Sequence, residues 1–422
     1  MKYINITSKV LVILSFYIVI TSCENKKEKG TIKKSEKFLF SKLEKQTLTI
    51  LNYEKLRTVK KEIENKSEIY LVPYKSLIEV ANEALNEGPF SVTNKTQLPP
   101  SGDKRDYMSI GPYWWPDTKK PDGLPWIRRD GQVNPLTEGN NLDLTRKNKM
   151  FRNVYRLAMA HYFTGNKTYA NKAIELLKVW FLDEKTKMNP NLDYAQAIPG
   201  KTIGRGIGII EFIGVKELIS TIDLLELNNA MNTSISEGLR LWLKDYLYWL
   251  QHSKNGLDEK KWPNNHGTWY DVQEVSILMF LHRFKEAKQV LEISAKDRIK
   301  SQIGADGTLP LELERTRSLH YTAYNLEAFT YLAYFGKQLN VDLWNYHPHK
   351  AGSIQDAYHF LDPYIIKEKE WMYTEISGVD NGIENLKELF LMAGNMFNIR
   401  EYSVIGLSMN ESDNFKILSY SF

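Results

Sequence analysis

One cysteine, Cys23, stands in a chain of 422 residues, so no disulfide can close within it. Metal-ligand spacings of His, Cys, Asp and Glu are missing, which leaves no sequence support for a metal centre or other cofactor. No phosphate-cradling loop is present either. Gly204-Arg205-Gly206-Ile207-Gly208 has the wrong spacing and no strand before it for a nucleotide site, and reads as a tight entry into the next helix. Excess charge of one sign is small. The formal net charge is +5, of which Lys2 and Lys9 belong to the first 22 residues. That excludes the fixed basic face of a nucleic-acid binder, yet leaves room for a cleft that attracts a polyanion. Long apolar runs are absent apart from Val10 to Ile20, which falls short of the roughly 20 residues a membrane span needs.

That short run has a use. Lys2 and Lys9 flank its start, and Ile20-Thr21-Ser22-Cys23 follows, the pattern of a secretory signal with a lipoprotein cleavage site. The expectation is a signal peptide over 1–22, Cys23 as the acylated first mature residue, and a Lys-, Glu-, Ser- and Gly-rich tether over 23–45. An uncleaved anchor or a buried thiol is the plainer alternative. The lipoprotein reading places the chain in the periplasm or outer membrane, touching lipid only through its anchor. No linker interrupts the chain after residue 45, so 46–422 is expected to form one domain.

What is abundant is helical periodicity and aromatic side chains. Phe151, Val154, Tyr155, Leu157, Ala158 and His161 recur at steps of three and four, as do Ala173, Ile174, Leu176, Leu177, Val179 and Trp180. Gly165-Asn166 breaks the pattern between them, which predicts an antiparallel pair. Similar pairs are predicted at about 206–226 with 230–251, 266–283 with 284–299, and 319–338 with 353–367. Helices near 42–66 and 69–87 precede them and one near 383–398 follows. The fold class expected is all-α, an (α/α) toroid of antiparallel helix pairs. Tyr402–Ile405 and Phe415–Leu418 alternate enough to predict a small C-terminal β-hairpin.

Two long segments do not fit the helical period. The first, about 94–145, holds Tyr107, Tyr113, Trp114, Trp115, Trp126, Arg128, Arg129 and Asn134; the second, about 183–205, holds Asn191, Tyr194, Gln196 and Arg205. Aromatic residues make up 12% of the chain, with 24 Tyr and 10 Trp, too many here for disorder. Rings interleaved with guanidinium and amide groups suit a groove for an acidic glycan. The alternative is that Trp114 and Trp115 plug one end of the barrel.

Asn264-Asn265-His266-Gly267-Thr268-Trp269-Tyr270 and Arg315-Thr316-Arg317-Ser318-Leu319-His320-Tyr321 complete the set. Together they supply an amide, an imidazole, a guanidinium and a phenol. The proton at C5 of a 4-linked uronate is only weakly acidic, because its removal puts negative charge onto an ionised carboxylate. A site that removes it must neutralise that carboxylate, place a base near C5 and place an acid at the bridging oxygen. Arg315 can pair with a carboxylate in a fork, and Asn265 can donate an amide hydrogen. Tyr321 beside a guanidinium would have a stabilised phenolate, and His266 is the other candidate base. Pro263-Asn264 reads as a helix start that points Asn265 and His266 into the cleft. Tyr270, Arg317 and His320 join Tyr113, Trp114, Trp115, Tyr194, Gln196 and Arg205 as candidate substrate contacts. Each has a duller reading: a structural histidine, a core tyrosine, or Arg317 ion-paired with Glu312 or Glu314.

Asp106-Tyr107-Met108-Ser109-Ile110-Gly111-Pro112-Tyr113-Trp114-Trp115-Pro116-Asp117, Asn191-Leu192-Asp193-Tyr194-Ala195-Gln196, and the Asn-Asn-His-Gly and Arg-Ser-Leu-His-Tyr stretches resemble the alginate-lyase superfamily, with polysaccharide lyase family 38 nearest. The resemblance runs in order over roughly 70–400. It implies an (α/α) toroid and β-elimination on polyuronates without a metal. Asn265 and Arg315 would neutralise the carboxylate, His266 and Tyr321 would be the base and the acid/base pair, and Glu259 would assist. Arginine spacing before the tyrosine differs from the older alginate lyases, so Arg317 stays open as the neutraliser, with Arg315 preferred. The expected partner is an acidic polysaccharide: alginate with mannuronate-containing regions favoured, or glucuronan. Two other classes remain open. A glycoside hydrolase would need a carboxylate pair drawn from Asp193, Glu259, Asp271, Glu274 and Glu314. A glycan-binding lipoprotein would bind without cleaving.

Overall fold

Capping side chains and left-handed residues cut the chain into helices where the periodicity changes phase. The computed structural model describes Leu39, residues 49–408 and residues 411–419. The signal, Cys23 and nearly all of the tether lie outside the described residues. The chain divides into Met1–Thr47 and Leu48–Phe422, and the helices and strands belong to the second unit.

Helices α1 (Tyr53–Glu64) and α2 (Glu68–Leu85) open it. Then α3 (Leu144–Thr164) ends at Gly165, whose φ of 69° suits a residue without Cβ, and Asn166 caps α4 (Lys167–Phe181) by accepting from the Thr168 amide. α5 (Val215–Leu227) and α6 (Thr233–His252) form the next pair, followed by the short α7 (Lys254–Lys260). α8 (Asn265–Phe280) precedes α9 (Phe284–Val290), which continues through one π-helical turn into α10 (Lys296–Gln302). α11 (Pro310–Leu313), α12 (Ser318–Leu339), α13 (Ile354–Ile365), α14 (Val379–Phe397) and α15 (Arg400–Gly406) complete the set.

The first member of each pair packs on the first member of the next: α3 on α5, α5 on α8, α8 on α12, α12 on α14. These helices make an inner ring and their partners an outer one, the (α/α) toroid. Burial follows that placement. In α8 every residue but His266 is buried, whereas α4 buries one stripe through Tyr169, Ala173, Leu176, Leu177 and Trp180. Inside the ring lies a cavity of about 850 Å³, lined among others by Lys147, Phe151, Glu217, Glu327 and Met392.

The predicted C-terminal hairpin does not form. Tyr402–Ile405 lies within α15, and Phe415–Leu418 lies in a 3₁₀ helix, Glu411–Ser419. Tertiary packing overrides the strand propensity of these residues. Tyr402 stacks on Tyr358 at 5.1 Å and meets Phe390 at 4.7 Å, and a Cβ at Gly406 would collide with Leu391. The predicted helix at 206–226 is also split, into a 3₁₀ stretch Gly206–Phe212 and α5.

Candidate active site

The two long segments meet through a parallel pair of short strands, β1 (Met108–Ile110) and its later partner Tyr194–Ala197. Between them in sequence, β2 (Trp114–Trp115) pairs antiparallel with β3 (Ile127–Arg128), Trp114 opposite Arg128, so the Tyr194–Ala197 strand is β4. A buried ion pair pins the base of the first segment. Lys95 Nζ lies 2.8 Å from Asp143 and donates to the carbonyls of Val92 and Lys104, while Asp143 accepts from the Met108 amide. Beneath β1, buried Glu211 accepts from Tyr107 and Ser109, each at 2.7 Å, and Ser109 Oγ accepts from the Gln196 amide.

These supports present a wall of rings and cations. Trp114 lies under Lys201 at 4.8 Å and Arg205 at 5.8 Å, and Trp115 under Arg129 at 4.9 Å. Arg205 donates through Nε and Nη2 to the backbone and side-chain oxygens of Gln196. Burial, with Arg128 adding to it, lowers the Arg205 pKa to about 10. Gln196 has a φ of 47°, a left-handed conformation uncommon for a residue with a side chain. The glycines after it serve close approach: a Cβ at Gly204 would strike the Asp193 carbonyl.

A second cluster forms where α8 begins. Asn264 is the N-cap and accepts from the His266 amide. Glu312 on α11 takes two hydrogen bonds from Asn265, from its amide and from Nδ2, both at 2.7 Å. His266 Nδ1 is 2.8 Å from the Glu259 carboxylate on α7, which is itself fully buried. Gly267 follows because Arg298 and the Trp262 carbonyl occupy the space a Cβ would need.

The third cluster surrounds Tyr321 on α12. Its hydroxyl is 2.7 Å from that of Tyr113, and the Arg315 guanidinium lies 3.8 Å from the centre of its ring. Asp130, two residues past β3, takes two hydrogen bonds from Arg315, at 3.1 and 2.9 Å. Burial and then Tyr113 push the Tyr321 phenol up; Arg315 pulls against them without overcoming them. Tyr324, one turn along α12, ties the clusters together. Burial raises its phenol well above the ordinary range, and the charges of Glu327, Tyr321, Glu259 and Tyr113 all act on it in the same direction. Among the described residues no cluster of His, Cys, Asp and Glu is arranged to hold a metal ion.

The family model described as alginate lyase matches residues 91–371. The chain belongs to this family. A crystal structure of an alginate lyase from Bacteroides ovatus is 38% identical, covering 89% of this chain and 99% of that one, with a TM-score of 0.84. Alginate lyase A1-III from Sphingomonas species A1 is 16% identical, covering 83% of this chain and 97% of that one, with a TM-score of 0.53, a likeness of fold. A comparison with curated proteins finds no match. The protein is therefore a polysaccharide lyase.

In the lyase, Glu259 and His266 form one hydrogen-bonded pair, and Tyr113, Arg315 and Tyr321 form another group. Trp114, Trp115, Gln196 and Arg205 line the wall, and half-buried Tyr194 packs against Met108, Ile110 and Leu142 at its base. Asn265 is fully buried and directed at Glu312. Tyr270 is not a cleft residue: it is wholly buried and donates to the Leu250 carbonyl, because α8 descends into the ring immediately after its first turn. His320 turns from the wall to stack on Tyr324 and line the interior cavity; burial, then Arg317, lower its pKa to about 4. Arg317 is held by Ser377, on the connection between α13 and α14, and not by Glu312 or Glu314. Arg315 acts on the Tyr321 phenol in the expected direction, favouring the phenolate, while burial acts more strongly the other way. Sequence reasoning missed Asp130 and the tie from Glu312 to Asn265. The one available signal was an acid and a turn glycine, Asp130-Gly131, closing the basic pair Arg128-Arg129.

Proposed function

We propose that the lyase cleaves alginate by β-elimination, favouring mannuronate-containing regions, with protein cations and not a metal neutralising the uronate. The observation that carries this is the Tyr113–Tyr321 hydroxyl pair under Arg315, with Arg315 and His266 both acting on Glu312. Arg315 uses Nε and Nη2 on Asp130, which leaves Nη1 for the substrate carboxylate. Asn265 acts through Glu312, fixing the first turn of α8 and the direction of His266. Glu259 accepts from Nδ1–H of His266, which leaves the Nε2 lone pair to act as a base.

In the reaction the C5–H bond breaks and its electron pair forms the C4=C5 double bond. The C4–O pair departs with the bridging oxygen, which takes a proton. In mannuronate and glucuronate the C5 proton and the leaving oxygen lie on the same side, so Tyr321, once its own proton has passed to solvent, can take the C5 proton as a phenolate and hand it to the bridging oxygen, with Tyr113 donating to the phenolate. A second reading has a specific observation behind it. Burial and Tyr113 push the Tyr321 phenol up, which favours its protonated form and suits an acid with His266 as base, the anti arrangement guluronate requires.

Incubation with polymannuronate, polyguluronate and glucuronan, followed by ultraviolet absorbance of the unsaturated product, tests the proposal. The fastest rise is expected on polymannuronate. A faster rise on polyguluronate transfers the base role to His266, and no rise on any of the three defeats the proposal. Glu259→Ala is expected to lower kcat about 100-fold with little change in KM, because His266 loses its fixed tautomer. Unchanged kcat would remove the pair from the mechanism.

A further inference from the structure

Loop residues beside a wall of rings are ordinarily free to move, yet the turn after β3 is locked to the catalytic helix. Asp130 takes two hydrogen bonds from Arg315 and one from Thr316 Oγ1 at 3.1 Å, and it also pairs with Arg128 at 2.6 Å. Next to it, Gly131 has a φ of 73°, and a Cβ there would meet Thr316 Oγ1 at 2.6 Å and Ile376 at 2.9 Å. Backbone and side chain of the turn are thus both seated on the junction between α11 and α12. The Asp130 and Arg315 side chains are only 23% and 17% exposed, unlike a surface ion pair.

We propose that Asp130 is a positioning residue of the active site: it seats this turn on the Arg315–Thr316 junction, holds Arg315 over the Tyr321 ring, and tunes the pH at which Tyr321 loses its proton. The first two tasks follow from geometry. A guanidinium clamped along one edge by a carboxylate is fixed in place, and its carbon is held 3.8 Å from the centre of the Tyr321 ring. The third follows from charge. Tyr321 is faced by Arg315 and Asp130, by Tyr113 from the wall, and by His320 and Tyr324 from α12; Tyr324 is in turn acted on by Glu327 and by Glu259, the partner of His266. Asp130 is anionic over the working range, since its hydrogen bonds and the charges of Arg315 and Arg128 overcome burial and hold it at about 2. Its negative charge opposes the field that Arg315 exerts on the phenol. Removing that charge stabilises the phenolate, so Tyr321 ionises at lower pH.

The proposal rests on the elimination reading, and its test has one arm that does not. In the full-length protein, Asp130→Asn is expected to lower kcat at the wild-type optimum about 10-fold or more and to move the Tyr321-dependent limb of the pH–rate profile about one pH unit lower. That direction holds whether Tyr321 must be ionised or protonated. Asp130→Glu restores the charge and is expected to return the limb toward its wild-type position. A limb that stays put in Asp130→Asn overturns the proposal, as would unchanged kcat. The second arm is ultraviolet phenolate titration without substrate, with Tyr321→Phe subtracted from each background. The Tyr321 phenol of Asp130→Asn is expected to ionise at lower pH than that of the wild type. No difference overturns the proposal even if turnover is seen, and a difference without turnover on any polyuronate sinks the elimination reading alone.

Discussion

Tyr321→Phe is expected to lower kcat on the preferred polyuronate by about 10³-fold or more while leaving the fold intact. The change removes one hydroxyl, whose hydrogen-bond partner, Tyr113, keeps access to solvent at the cleft. The stability loss should therefore be near the roughly 1 kcal/mol of a typical hydrogen bond. Arg315 and Asp130 remain seated, so binding should persist and the loss should fall on kcat. Steady-state kinetics beside a thermal melt separates the two quantities. A variant that keeps a tenth of wild-type kcat would show that another group transfers the proton, and His266 would be the next to examine.

Lys95→Met is expected to have the largest effect on stability, roughly 3 kcal/mol. Lys95 and Asp143 are both fully shielded, and all three ammonium hydrogens are placed, on Asp143 and on the carbonyls of Val92 and Lys104. Burial lowers the lysine pKa and raises the aspartate's, against their mutual attraction. Methionine fills the same space but leaves the carboxylate with Arg146 as its remaining cationic partner. Denaturant unfolding of the single variant and of Lys95→Met/Asp143→Leu provides the check. The double variant should lose less than the sum of the two single changes. A loss below about 1 kcal/mol for Lys95→Met would mean that the pair does not hold the segment in place.

The ring of helices was legible because its signals are local. Apolar residues recur every three to four positions, Gly165-Asn166 ends one helix and caps the next, and Asn264 announces α8 two residues before His266. The chemistry was legible as an inventory, since amide, imidazole, guanidinium and phenol sit in two short stretches. What could not be read is how distant segments touch. Asp130 and Arg315 are 185 positions apart, and β1 and β4 are too short to show alternation. Tyr270 misled because a four-residue step places it on the His266 face of α8, and that face is exposed only at its first turn. The tail misled because four alternating residues carry little information beside the neighbours they pack on.

The way β1 and β4 tether the wall bears on how such enzymes diversify. The segment between Gly111 and Asn134 leaves the strand pair and returns near it, with Asn134 donating to the Trp114 carbonyl and its own amide bonded to Pro112. Its two ends are thus neighbours, and none of its rings belongs to the helical ring's core. Such a stretch behaves as an exchangeable cassette: its aromatic and basic residues can be rewritten for a different acidic glycan while the barrel beneath is left alone. Two residues constrain the rewriting: Tyr113, which must still meet Tyr321, and the acid that must still reach Arg315.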